Sequence, residues 1–155
     1  MAFLQISEPG MSAAPHEHRL AVGIDLGTTN SLVASVRSAE PVILKDEQGE
    51  GIVPSAVRYT AEGVVVGAAA KAAAVEDTQN TLTSVKRFMG RGLDDIQSNA
   101  DSLSQHLVFN PEQISVPRIV TEYGEVSAVE VSAEILKSLK QRGEQSLGGD
   151  LVGAV

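Results

Sequence analysis

The sequence has no cysteine. That excludes disulfides and thiolate-held zinc or iron-sulfur clusters, and it leaves a reducing compartment open. Basic residues are scarce too: 12 against 20 acidic ones, for a net charge of -8. No broad positive field therefore gathers nucleic acid or an anionic membrane surface, and any polyanion must be held locally. No window approaches the roughly 18 apolar residues of a membrane span. The first twenty residues lack both the basic n-region and the unbroken apolar stretch of a signal peptide. Together these absences lead us to expect a cytoplasmic protein. At 155 residues, 43% of them hydrophobic, one soluble domain is the ceiling.

Residues 1–19, "MAFLQISEPGMSAAPHEHR", have two prolines and no sustained period, which predicts an extended arm before a domain spanning 20–155. "LAVGIDL" and "SLVASV" are strand-length runs separated by turn residues, a hairpin signal. "PVILKD", "IVPSAVRYT" and "GVVVG" follow, so about five short strands in an antiparallel meander are expected early in the chain. "AAAKAAAVED", Ala68 to Asp77, has high helix propensity, and "SVKRFMG", Ser84 to Gly90, predicts a short helical turn stopped by glycine. Both are expected outside the sheet. "HLVFN" and "RIVTEYGE" are candidate strands in a weakly patterned stretch. Ser132 is a candidate cap for a helix running to about Leu147, with Ile135, Leu136 and Leu139 on the stripe that covers a sheet and Gly148-Gly149 as its stop. "DLVGAV" then begins what looks like a buried strand. Strands, a helix and another strand predict an α/β unit whose remaining sheet and catalytic partners lie beyond residue 155.

The stretch "GIDLGTTNS", Gly23 to Ser31, bears most directly on chemistry. Asp25 follows an apolar run that implies burial, and a buried carboxylate needs a donor, counter-charge or cation. Gly27 permits a positive φ and a close backbone approach, so the amides of Gly27, Thr28, Thr29 and Asn30 are able to converge on phosphate oxygens, with two threonine hydroxyls as further donors. A phosphate chain brings Mg²⁺, whose water shell suits a nearby carboxylate such as Asp25. The plainer alternative is a well-made hairpin in which Asp25 accepts bonds from turn amides. Other phosphate motifs fail: there is no "GK" dipeptide, and "GEGIVP" and "GRGLDD" lack the third glycine of a dinucleotide fingerprint. "SVKRFMGR" concentrates Lys86, Arg87 and Arg91 in an acidic chain, which reads either as a solvated basic face or as a polyanion contact.

Taken in order, "GIDLGTTNS" resembles the first phosphate loop of heat-shock-protein-70 (DnaK-type) chaperones and "NTLTSVKRFMGR" their next signature. "VPSAVRYT", "VGAAAKAAA" and "VSAEILKSLK" resemble intervening and following segments, so the similarity runs from about Leu20 to Val155. The leader "LQISEPGMSAAPH" further resembles the branch of that family that serves bacterial iron-sulfur cluster assembly. This resemblance implies an actin-like (ribonuclease H-like) ATPase fold with nucleotide between two lobes, present here as an incomplete first lobe. It implies ATP or ADP with Mg²⁺, and K⁺ as an optional further ion. Asp25 would orient the metal-water shell, Gly27, Thr28, Thr29 and Asn30 would cradle the β- and γ-phosphates, and Lys86 would position the attacking water. Partners implied are a J-domain co-chaperone and an iron-sulfur scaffold protein as client, with neither nucleic acid nor membrane. The family's second phosphate loop, adenosine pocket and peptide-binding domain are absent from these residues, so the chain alone is expected to be inactive. Two alternatives stay open: an actin-like sugar or small-molecule kinase, and a non-catalytic interaction fragment.

Overall fold

The computed structural model describes residues 19–97, 108–112 and 116–155, so the expected arm, apart from Arg19, and the first two residues of "HLVFN" lie outside the described residues. Strand β1 (Leu20–Leu26) turns back antiparallel into β2 (Asn30–Arg37), which pairs with β3 (Glu40–Ile43). The two-residue strand β4 (Val53–Pro54) also pairs with β2, Ser31 facing Val53 and Asn30 facing Pro54. "IVPSAVRYT" is thus two strands. After Ser55 the chain enters β5 (Ala56–Thr60), the centre of a second sheet flanked by β6 (Gly63–Val66) and β7 (Thr81–Thr83). A separate hairpin joins β8 (Arg118–Thr121) to β9 (Gly124–Ser127), so "RIVTEYGE" turns at Glu122-Tyr123 instead of running on. Phe109 makes an isolated bridge to Ile119.

Helix α1 (Ala68–Ala73) is shorter than its composition predicts. It stops before the exposed, β-branched Val75, and Asp77 is drawn instead to Arg58 of β5, Nε to Oδ2 2.8 Å. Val85–Phe88 form the expected short turn, of 3-10 type, ahead of Gly90 at φ 73. Helix α2 (Leu93–Gln97) is too short to carry a clear period in the sequence and buries Leu93 and Ile96. Both α1 and the 3-10 turn lie outside the sheets.

The long helix α3 (Ala128–Leu147) packs against β1, β2, β5, β6, β9 and the 3-10 turn. Its cap is Ser127, not Ser132. Ser127 Oγ accepts from the Glu130 amide at 3.2 Å, and the Glu130 carboxylate accepts from the Ser127 amide at 2.7 Å, a reciprocal capping box. Ser132 lies buried inside the helix, while Leu136 is 38% exposed, so the covered stripe is Val131, Ile135, Leu139 and Gly143, at a spacing of four. Gly143 forgoes about 1 kcal/mol of helix propensity, but an added Cβ would sit 3.1 Å from Leu151 Cδ1 and 3.5 Å from Val22 Cγ1. The helix therefore lies close on the sheet there. Gly148, left-handed at φ 76, ends it as expected. Val22, Val33, Val57, Leu82, Ile119, Val131, Ile135 and Leu139 form one continuous core across these layers.

Strand β10 (Leu151–Ala154) runs parallel to β1, the α/β pairing that the strand-helix-strand order predicts. It is not buried: only Leu151 is partly covered, because β10 occupies the sheet edge with a neighbour on one side. No helix among the described residues is long and apolar enough to cross a membrane.

The capping box generates a prediction. Removing the Ser127 side chain as Ser127→Ala should cost about 1 kcal/mol in urea unfolding at neutral pH. The Ser127 amide, then the Ser127 hydroxyl and Arg118, hold the Glu130 carboxyl below the ordinary carboxylate range. A depressed folded value contributes stability above the unfolded pKa of about 4.3, and that contribution is lost as the pH falls through the folded value. The advantage of the native chain over Glu130→Gln should accordingly be full at pH 7 and shrink steadily below about pH 4 in a pH series of unfolding curves.

Candidate functional site

Residues 20–37 form a β-hairpin with Gly27, Thr28 and Thr29 in its turn. Along β1 the side chains alternate, Val22 buried and Ile24 and Leu26 partly covered, while Ala21, Gly23 and Asp25 face outward. Asp25 is thus exposed, not buried. The apolar look of "LAVGI" came partly from small residues on the open face. Among the described residues the Asp25 carboxylate has neither a hydrogen-bond nor an ion-pair partner, so it does not cap the turn as the plain-hairpin reading requires. Gly27 is not at positive φ either. Its requirement is steric: an added Cβ would overlap the Asn30 carbonyl oxygen and lie 3.2 Å from its carbon. The backbone amides of Gly27, Thr28 and Thr29 donate to no protein acceptor among the described residues. Three adjacent donors and an open carboxylate are what a phosphate chain with a hydrated cation needs, so the residues fit such a group. Among the described residues no group of three His, Cys, Asp or Glu is placed to hold a metal ion.

The second motif reaches the same place. Strand β7 ends at Thr83, and Ser84 follows in the left-handed region at φ 55, ψ 24, a conformation that costs a serine of order 1–3 kcal/mol. The 3-10 turn then buries Val85 and Phe88, three apart, and so projects Lys86 and Arg87 to the surface. Phe88 is fixed by an edge-to-face contact with Phe109, centroids 5.8 Å apart. Lys86 Nζ donates to the Leu26 carbonyl at 2.6 Å, across 60 residues of sequence. Arg87 and Arg91 remain exposed and do not reach the hairpin. Of the basic cluster, Lys86 is the member that reaches the β1–β2 hairpin.

Two residues at the site lie inside the quoted stretches without being singled out there. Ser55 is 4% exposed and donates its hydroxyl to the Gly27 carbonyl at 2.9 Å, while its amide donates to the Thr29 carbonyl at 2.8 Å. Ser31, 2% exposed, lies 2.8 Å from Ser55, oxygen to oxygen. Neither has a sequence signal beyond a small hydroxyl beside a turn.

Comparison with known proteins decides the family. The model described as "Hsp70 protein" matches residues 21–155. The chain belongs to the Hsp70 family. Among curated Hsp70 relatives named "Chaperone protein HscA homolog", the one from Laribacter hongkongensis is 58% identical over 156 residues, the one from Shewanella oneidensis 57% over 155, and the one from Vibrio parahaemolyticus 56% over 155. Each match takes in 100% of this chain and 25% of the relative, so the chain spans about a quarter of the length of the Hsp70 proteins it matches. A match that runs through both motifs in one alignment leaves the small-molecule kinase alternative without support.

The tight turn yields a second prediction. Gly27→Ala must push Asn30 away from residue 27, opening the hairpin, and should cost at least about 1–3 kcal/mol, as overpacking commonly does. Urea unfolding measures the loss, and faster hydrogen exchange at Asp25 and Leu32, whose amides face each other across the hairpin, locates it.

Proposed function

We propose that the chain is the N-terminal part of the actin-like ATPase domain of an Hsp70-class chaperone that serves iron-sulfur cluster assembly, forming part of its first lobe. The observation that carries this reading is the 2.6 Å bond from Lys86 Nζ to the Leu26 carbonyl, which ties the lysine to the residue just before Gly27, at the end of the strand that bears Asp25. The names of the relatives support the chaperone class.

In this reading the Gly27–Asn30 turn binds the β- and γ-phosphates of ATP through its amides and threonine hydroxyls. Lys86 holds the attacking water and offsets charge gathering on the terminal phosphate, since phosphoryl transfer is governed by positioning and electrostatics. Mg²⁺, when bound, neutralises phosphate charge while keeping several of its waters, with K⁺ as an optional second ion. Asp25 would hold the Mg²⁺ through one of its waters and so orient the shell. Hydrolysis to ADP would shift a two-state equilibrium between release and capture of a peptide, with a J-domain co-chaperone and a cluster scaffold protein as partners in the cytoplasm. The chain contains no cysteine, so any cluster stays on the scaffold as far as these residues are concerned.

In the full-length protein, Lys86→Ala should lower single-turnover ATP hydrolysis roughly 10²-fold while ATP affinity changes far less, because a preorganised donor acts mainly in the transition state. Asp25→Asn should instead show a loss that depends on Mg²⁺ concentration, whereas added Mg²⁺ does not rescue Lys86→Ala. Hydrolysis by Lys86→Ala within twofold of the native rate would remove Lys86 from the site.

A further inference from the structure

The segment between the two sheets holds both halves of the site at once. Strand β4 pairs with β2, and the Ser55 amide extends that pairing by one bond to the Thr29 carbonyl, 2.8 Å. One residue later Ala56 opens β5 and faces Thr83, the last residue of β7 before Ser84 and the Lys86 turn. The hairpin is thus registered through Ser55 and the lysine turn through Ala56, on adjacent residues of one strand-to-strand step.

The hydroxyl bonds have a definite direction. A serine has one hydroxyl proton, and a carbonyl oxygen only accepts, so the Ser55 proton is committed to Gly27 at 2.9 Å. The proton between the two serines therefore belongs to Ser31, which donates to Ser55 Oγ at 2.8 Å. Both side chains are buried, and a buried chain of satisfied hydrogen bonds tolerates little displacement of its members. Ser55 grips the turn at both ends, through the carbonyls of Gly27 and Thr29. The residue just before Gly27 is Leu26, whose carbonyl receives Lys86.

We infer that Ser55 is a positioning residue for ATP hydrolysis: bonded to the hairpin through Gly27, Thr29 and Ser31, it sets the distance between the Gly27–Thr29 amides and the Lys86 ammonium. This inference rests on the phosphate-site reading given above. It separates Ser55 from an ordinary buried serine because its effect must pass through Lys86.

A double-mutant cycle in the full-length protein tests it, read by single-turnover hydrolysis at saturating ATP with Mg²⁺ and accompanied by thermal unfolding of each variant. Ser55→Ala is expected to lower the rate about tenfold, as sub-ångström misplacement at a reacting centre commonly does. Ser31→Ala, which leaves the Ser55 proton on Gly27, should lower it about twofold. In a Lys86→Ala background Ser55→Ala should cost less than threefold, since the alignment it maintains has already lost its object. Equal losses from Ser55→Ala with and without Lys86, or no loss at all, overturn the positioning role while leaving the phosphate site standing. If Lys86→Ala alone hydrolyses at the native rate, the phosphate-site reading itself fails. Should Ser55→Ala lose its cooperative melt, Ser55→Thr carries the test. It keeps the donor and must stay within about threefold of the native rate, and a folded Ser55→Thr that loses tenfold overturns the proposal.

Discussion

The arrangement of this molecule turns on the step from Pro54 to Ala56, where the chain leaves one sheet and enters the next. A polypeptide making that crossing must satisfy its backbone groups on both sides, because each unpaired buried amide or carbonyl forfeits a hydrogen bond. Here the Ser55 amide stays with the first sheet, on Thr29, while Ala56 already pairs with Thr83 in the second. Neither sheet is free to slide along the other. Helix α3 then lies over both, with Val131, Ile135, Leu139 and Gly143 against the joined surface. The hairpin turn and the Lys86 turn are edges of this clamped body, which explains how an exposed lysine keeps a defined partner across 60 residues.

Much of the site was legible in the sequence, and the reasons differ from residue to residue. The hairpin could be read because two strand-length runs flank a glycine-threonine turn, and local chemistry settles such a turn. Lys86 could be singled out because a basic cluster stands out in a chain of net charge -8. The exposure of Asp25 was hidden by the apolar run before it, since glycine and alanine look apolar on either face of a strand. Of the two freedoms glycine offers at position 27, the turn uses the close backbone approach, to Asn30, and not a positive φ.

Other features depend on long-range contacts that leave no periodic trace. Ser55 and Ser31 are 24 residues apart and meet only because β4 pairs with β2. Strand β7 is three residues long, too short for a pattern, and exists through its pairing with β5. The cap of α3 is a different case: Ser127 and Glu130 form a recognisable S-x-x-E pair in the sequence, and that pair, not Ser132, starts the helix. Tertiary packing then turned Leu136 to solvent and placed Gly143 beneath the sheet.

An acidic chain that binds a polyanion must do so with a few groups of fixed geometry, and the open turn amides, Asp25 and Lys86 are such a set. The central claim is that they form a single phosphate site. A crystal structure of the full-length protein with a non-hydrolysable ATP analogue and Mg²⁺ tests it most directly. The account predicts the terminal phosphates within hydrogen-bond distance of the Gly27–Asn30 amides, with Lys86 Nζ beside the γ-phosphate and Asp25 bonded to a metal-bound water. A phosphate chain bound elsewhere, with Lys86 still on the Leu26 carbonyl and Asp25 in bulk solvent, would contradict it.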